Sequence, residues 1–122
     1  MAGPGMFHWN ELISGDVEKA KAFYGGTLGW TFEDVPGAEG SYTLIRLGDA
    51  YVGGILRKPP MMANVPDHWF AYIAVDDIEA RVKAMQAEGG RLMRAIFDVP
   101  NFGRIAIIED ATGVGIGLVQ PG

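Results

Sequence analysis

Residues 16–30 read DVEKAKAFYGGTLGW, and residues 77–90 read DIEARVKAMQAEGG. The two stretches lie 61 residues apart, and each opens with aspartate and carries a pair of glycines towards its end. An aspartate N-cap accepts hydrogen bonds from the exposed amides of the first helical turn, and glycine tolerates the positive φ found at helix ends. The repeat therefore predicts two equivalent helices, one ending at Gly25 and Gly26, the other at Gly89 and Gly90.

Each predicted helix has one apolar face, because residues three or four apart in a helix lie on the same side. We expect each face to pack against a sheet. The faces comprise Val17, Ala20, Tyr24 and Leu28 in the first helix, and Ile78, Val82 and Met85 in the second.

Apolar sequence with strand-like alternation surrounds both helices, with one segment before each helix and three after it. The sequence therefore predicts an α+β fold built from two βαβββ modules. The predicted strands are 7–13, 29–33, 42–47 and 51–56 in the first half, and 68–75, 91–97, 104–109 and 114–119 in the second.

A proline-rich segment separates the two halves. Lys58 to Asp67 contains three prolines, which suit neither a helix interior nor a central strand. We therefore predict a single domain over residues 1–122, with module one at about 5–57, a connector at 58–67 and module two at about 68–120.

Composition limits the partners and the chemistry. The net charge is −5 and the ten lysines and arginines form no run, so nucleic acid and anionic membrane are excluded as main partners. The absence of cysteine excludes disulfides, thiolate nucleophiles and cysteine-bound zinc. No apolar run reaches the roughly 20 residues that span a bilayer. Residues 1–6 lack the basic and apolar regions of a signal peptide, so we expect a cytoplasmic protein.

The order of these motifs resembles the vicinal oxygen chelate superfamily, which contains glyoxalases, bleomycin-resistance proteins and extradiol dioxygenases. The resemblance covers nearly the whole chain and is closest to small single-domain glyoxalase-like proteins. It is carried by Asp16, Ala22-Phe23-Tyr24, Leu28-Gly29-Trp30, Val75-Asp76-Asp77, Gly89-Gly90 and Glu109-Asp110-Ala111-Thr112-Gly113.

The resemblance implies that eight strands form a cup-shaped mixed sheet with the helices on its outer face. It also implies a divalent-metal site with one ligand from the first and one from the fourth strand of each module. Those positions carry over to Trp9, Gly53, Phe70 and Gly117. The repeat supports this match, because Trp9 and Phe70 are 61 residues apart and Gly53 and Gly117 are 64 apart, as an insertion of three residues in the second half would give. Because none of these side chains can ligate a metal, we expect no cofactor, and a divalent metal could bind only at displaced positions.

Two aromatic residues and two glycines at those positions favour an aromatic-lined cup that binds a small, partly apolar molecule. The resemblance adds precedents for metal-free drug binding and for homodimers, in which the cup forms either within one chain or by exchange of modules between chains. Alternatively, Trp9 and Phe70 are ordinary core residues. The predicted ligand-binding residues are Trp9, Glu11, Gly53, His68, Phe70, Tyr72 and Gly117.

The alternative function is a glyoxalase-like lyase or isomerase, or a dioxygenase-type enzyme. Glu11 and His68 would then be its catalytic acid–base pair, because a carboxylate in an aromatic pocket can act as a base. Glu11 could equally hold a structural hydrogen bond to Tyr72, and His68 could be a surface residue at the start of its strand. The sequence leaves these alternatives open.

Overall fold

The computed structural model describes residues 3–37 and 40–122. The order of helices and strands confirms the α+β class and the two βαβββ modules. The prediction about residues 1–6 lies partly outside the described residues. The elements are β1 Phe7–Ser14, α1 Val17–Leu28, β2 Thr31–Gly37, β3 Gly40–Leu47, β4 Ala50–Arg57, β5 His68–Ala74, α2 Ile78–Ala87, β6 Arg91–Val99, β7 Gly103–Glu109 and β8 Gly115–Pro121, with one 3-10 turn at Pro60–Met62.

The described chain divides into two compact units. The first unit is Trp9–Trp69, and the second unit comprises residues 3–8 and Phe70–Gly122. The strands follow the order β2-β3-β4-β1 in the first unit and β5-β8-β7-β6 in the second. In each unit the first strand pairs with the fourth in parallel, and the remaining pairs are antiparallel, so each sheet is mixed.

The core of the first unit lies between α1 and one face of its sheet. Leu12, Val17, Ile45 and Ile55 form a buried cluster there, and Ile45 and Ile55 are each only 1% exposed. The predicted N-cap is confirmed, because the Asp16 carboxylate accepts a hydrogen bond of 3.0 Å from the Lys19 amide.

The predicted end of α1 at Gly25 and Gly26 is wrong. The helix continues through both glycines to Leu28 and ends where Gly29 adopts a left-handed φ of 72° and donates its amide to the Gly25 carbonyl. An interior glycine costs a helix only about 1 kcal/mol. Tyr24, which directly precedes the two glycines, packs against the buried core together with Phe32 and offsets that cost.

The second unit repeats this arrangement. The Asp77 carboxylate accepts from the Ala80 amide at 3.2 Å, and α2 ends as predicted before Gly89, which has a φ of 97°. Within the described residues, neither helix is long and apolar enough to cross a membrane. The buried core beneath α2 comprises Val75, Ile78, Val82, Ala106, Ile108 and Leu118, with Met85 packed against it.

Within the first unit, an ion pair and several hydrogen bonds attach the connector to the turn between β1 and α1. The Asp67 carboxylate accepts from Lys58 Nζ at 2.9 Å and from the Gly15 amide at 3.0 Å. Lys58 Nζ also donates to the Val65 carbonyl at 2.8 Å. The hydrogen bond from Lys58, followed by that from Gly15, lowers the pKa of Asp67 below its usual value of 3.8.

We expect Asp67→Asn to lower the melting temperature near neutral pH and to make it less sensitive to acid. A carboxyl whose pKa is lower in the folded state than in the unfolded state stabilises the fold above its unfolded pKa of about 4, and this contribution is lost as the pH falls through the folded pKa. Calorimetry between about pH 7 and about pH 3 measures both effects. Asp49→Asn is the control, because Asp49 makes no hydrogen bond or ion pair to any described residue. Equal acid sensitivity in Asp67→Asn and the unmodified chain would contradict the prediction.

Candidate ligand-binding site

One face of the first unit's sheet carries a buried carboxyl group. Glu11 is 7% exposed and pairs in register with Gly54, which also pairs with Leu44 on β3. Successive residues of a strand point to opposite faces. Ile45 and Ile55 pack towards α1, so Glu11, Gly54 and Leu44 lie on the face away from that helix.

A phenol and an indole hold this carboxyl group in place. Tyr42 Oη donates to Glu11 Oε1 at 2.8 Å and accepts from Trp9 Nε1 at 3.1 Å. The phenol lies directly over Gly54, where a Cβ atom would collide with it. Sequence reasoning identified Trp9 and Glu11 but missed Tyr42, which joins them through its hydroxyl group. It also missed Gly54, which leaves room for the Tyr42 ring.

The alignment that matched Gly53 with Gly117 is wrong by one residue. Tyr72 pairs with Gly117 in the second unit, whereas its counterpart Glu11 pairs with Gly54. A Cβ on Gly53 would contact Asn10 O and Ile45 Cδ1, which places Gly53 towards α1. Glu11 and Tyr72 are 61 residues apart, whereas their partners Gly54 and Gly117 are 63 apart. The second half therefore contains two additional residues between these strands, and the match of Gly53 with Gly117 assumed three.

The corresponding face of the second unit is aromatic. The ring of Tyr72, which is 7% exposed, lies over Gly117 and meets the Phe70 ring edge-on at 5.3 Å between centroids. Phe102 meets Tyr72 edge-on at 6.3 Å and also contacts the His8 ring at 5.7 Å. The predicted residues Phe70, Tyr72 and Gly117 therefore lie together, and Phe102 joins them from the loop before β7.

His68 lies at the start of β5 in the first unit, and its Nδ1 is 2.8 Å from the Pro66 carbonyl oxygen. The next residue, Trp69, belongs to a separate aromatic cluster on the α1 side. Its Nε1 donates to Tyr24 Oη at 3.2 Å, and its ring packs edge-on against Tyr24 and Trp30.

The residues at the implied metal positions do not suit a divalent ion. An indole and a phenyl ring offer no lone pair to a metal, and glycine has no side chain. The correction from Gly53 to Gly54 does not change this, because Gly54 also has no side chain. In the part of the chain that the structure describes, no three His, Cys, Asp or Glu side chains group as a metal site would require.

A family model described as the Glyoxalase/Bleomycin resistance protein/Dioxygenase superfamily matches residues 6–118. The chain belongs to this superfamily. CFP32 of Mycobacterium tuberculosis, named as a proposed glyoxylase, is 36% identical over 118 residues, which are 96% of this chain and 44% of CFP32. The anthracycline biosynthesis protein DnrV of Streptomyces peucetius is 32% identical over 133 residues, covering 98% of this chain and 48% of DnrV. This superfamily member thus spans about half the length of the curated relatives it matches.

Solved structures show the same superfamily fold at low identity. The hypothetical protein BH1468 of Bacillus halodurans superposes with a TM-score of 0.72 at 16% identity, covering 95% of this chain and 94% of that one. Methylmalonyl-CoA epimerase of Mycobacterium tuberculosis gives a TM-score of 0.69 at 18% identity, with coverages of 100% and 93%. At these identities the likeness concerns the fold alone, because one fold supports many functions.

Proposed function

We propose that this superfamily member binds a small, partly apolar molecule on the sheet faces that point away from the helices. The observation that carries the proposal is the chain of hydrogen bonds from Trp9 through Tyr42 to the buried Glu11 carboxyl. Binding sites for small molecules are mostly apolar, with a few placed polar groups that fix the orientation of the ligand. Trp9, Tyr42 and Glu11 supply such groups in the first unit. The second unit carries an aromatic face of its own, formed by Phe70, Tyr72 and Phe102.

Intrinsic fluorescence offers a direct test, because the three tryptophans occupy different places. Trp30 and Trp69 lie together on the α1 side, whereas Trp9 lies beside Tyr42. The double variant Trp30→Phe/Trp69→Phe retains Trp9 as the single reporter. We expect members of a library of neutral, acidic and basic aromatic compounds to quench Trp9 emission saturably and to raise the melting temperature, since a ligand that binds only the folded state stabilises it.

The matched control keeps Trp30 and Trp69 and carries Trp9→Phe, so that quenching should be much weaker at the same ligand concentration. A library in which no compound raises the melting temperature or quenches Trp9 would overturn the proposal. Quenching that is equally strong in the Trp9→Phe control would place binding elsewhere on the protein and would also count against it.

A second candidate is a glyoxalase-like lyase or isomerase, or a dioxygenase-type enzyme, with Glu11 and His68 as its acid–base pair. The burial of the Glu11 carboxyl favours this enzymatic function, because glutamate side chains in active sites serve as general bases. If the protein is such an enzyme, Glu11→Gln and His68→Ala should each abolish any turnover that the purified protein shows. Unchanged turnover in both variants would remove these residues from catalysis.

We propose no metal at Trp9, Gly53, Phe70 or Gly117, because their side chains offer no ligand. Elemental analysis of protein purified without chelators or nickel resin tests this, and about one divalent ion per chain would point to a displaced site. The homodimer and the cytoplasmic location remain predictions, which the hydrodynamic mass and cell fractionation would test.

A further inference from the structure

Arg46 lies on the same face of the first unit's sheet as Glu11. Leu44, two residues earlier on β3, pairs with Gly54, which in turn pairs with Glu11. β3 pairs with β2 without a register shift, so its side chains alternate regularly and Arg46 shares the face of Leu44, away from α1. Two strand spacings and two residues along β3 place Arg46 roughly 12 Å from Glu11 between Cα atoms.

An irregularity in β4 brings an aromatic ring to Arg46. Ile45 pairs with Gly53, but Arg46 pairs with Tyr51, so Val52 is an additional residue in β4. Such a bulge re-aims the neighbouring side chains and is frequent next to functional sites. The Tyr51 ring lies against the guanidinium, with 5.2 Å between the ring centroid and Cζ. This contact restricts the rotamers of Arg46 before any ligand binds.

The guanidinium of Arg46 lacks hydrogen-bond acceptors. Its side chain is 36% exposed, and its Nε is buried without a hydrogen-bond partner in the described chain. The ion pair with Glu33 joins Nη1 and Oε1 at 3.9 Å, which is too long for a hydrogen bond. That oxygen already accepts from Tyr51 Oη at 3.0 Å. Arg46 therefore has a charge partner, but within residues 3–37 and 40–122 its N–H donors have no acceptor. Unsatisfied donors of this kind call for an explanation.

The charge of this face decides which acceptor suits Arg46. Glu33 pairs in register with Leu44 and so shares the face with Glu11 and Arg46. An anionic ligand group would therefore meet two acidic side chains and one basic side chain. A neutral oxygen accepts hydrogen bonds from a guanidinium without the repulsion that two carboxylates exert on an anion.

We propose that Arg46 donates through its Nη atoms to a neutral carbonyl oxygen of the bound molecule, and that it selects aromatic ketones and similar carbonyl compounds. Leu44 supplies apolar surface on this face between Arg46 and Glu11. The inference rests on the proposed function. It adds the chemical class of the ligand and a specificity residue that is not among the predicted ligand-binding residues.

Three naphthalenes of similar shape test the inference. The probe 2-acetylnaphthalene carries a neutral carbonyl, 2-ethylnaphthalene carries no acceptor, and 2-naphthoate carries an anionic acceptor. Equilibrium dialysis against the full chain measures each affinity, and each probe is compared between protein variants, so that differences in probe hydrophobicity cancel. We expect Arg46→Met to lower the affinity for the ketone about tenfold, because a hydrogen bond from a charged donor is lost. The affinity for 2-ethylnaphthalene should change by less than about twofold.

Two further variants sharpen this comparison. Arg57→Met is the matched control, because Arg57 lies two residues after Ile55 on β4 and shares its face towards α1. It should leave all three affinities unchanged. Glu33→Gln keeps an acceptor for Tyr51 but removes a negative charge beside Arg46. We expect it to raise the affinity for 2-naphthoate about threefold or more and to leave the affinity for the ketone within about twofold.

A melting curve distinguishes ligand selection from a structural role of Arg46. Arg46→Met should keep or raise the melting temperature without ligand, because it removes a buried donor that has no acceptor and retains an apolar stem. A lower melting temperature, with equal losses of affinity for the ketone and for 2-ethylnaphthalene, would overturn the inference.

An unchanged affinity of Arg46→Met for the ketone would also overturn the inference, and so would a failure of the unmodified protein to bind the ketone. In each case the compound library decides the proposed function separately. Arg46→Lys keeps the charge without the planar fork and should fall between the unmodified protein and Arg46→Met. It supplies the same comparison if Arg46→Met does not fold.

Discussion

Tyr42→Phe is expected to lower the free energy of unfolding by about 2 kcal/mol, although it removes a single oxygen atom. That oxygen donates to Glu11 Oε1 and accepts from Trp9 Nε1. Glu11 is 7% exposed, so water cannot readily replace the lost donor. The loss of a hydrogen bond to a charged group costs about 1.5–3 kcal/mol. Urea denaturation measures the change, and an unaltered denaturant slope would show that the unfolded state is unaffected.

Tyr51→Phe provides a matched control in the same unit. Tyr51 Oη donates to Glu33 Oε1 at 3.0 Å, but Tyr51 is 49% exposed, so water can take the place of the phenol. We expect this variant to stay within about 0.5 kcal/mol of the unmodified protein. Equal destabilisation by the two substitutions would contradict the idea that burial makes the Tyr42 hydrogen bonds important.

The fold could be predicted because its determinants are local and occur twice. Asp16 and Asp77 cap their helices through side-chain contacts only three residues away. The exception is also instructive. Gly25 and Gly26 looked like a helix end, but α1 continues through them to Leu28, and its Tyr24 packs with Phe32 against the buried core. A contact of this kind depends on tertiary packing, which a local motif does not contain.

The candidate site was harder to predict because it depends on long-range pairing. Tyr42 is 31 positions from Glu11 and reaches it only because Gly54 leaves room beneath the ring. Sequence symmetry pointed to Gly53, because a repeat locates an insertion only to within about one residue. A shift of one residue moves every side chain of a strand to the opposite face of the sheet.

Gly117→Ala is expected to destabilise the second unit by about 1–3 kcal/mol, the usual cost of overpacking a core. Gly117 has no positive φ, so its backbone would accept alanine without strain. The cost comes from the Tyr72 ring, which covers the space that a Cβ would occupy. Gly115→Ala is the control on the same face of β8, because its Cβ would meet only the edge of Phe70 at 3.3 Å. Denaturant unfolding should therefore show a smaller loss for Gly115→Ala.

A double-mutant cycle separates this steric cause from a general intolerance of β8. Tyr72→Ala removes the ring, so Gly117→Ala introduced into that variant should cost at least about 1 kcal/mol less than in the unmodified protein. Tyr72→Leu serves in the same cycle if the alanine variant is too unstable to measure. An equal cost of Gly117→Ala in both backgrounds would mean that the tyrosine is not what requires glycine there. Because the Tyr72 ring lies over Gly117, Gly117→Ala should also weaken the binding of aromatic compounds from the library, whereas Gly115→Ala should weaken it less.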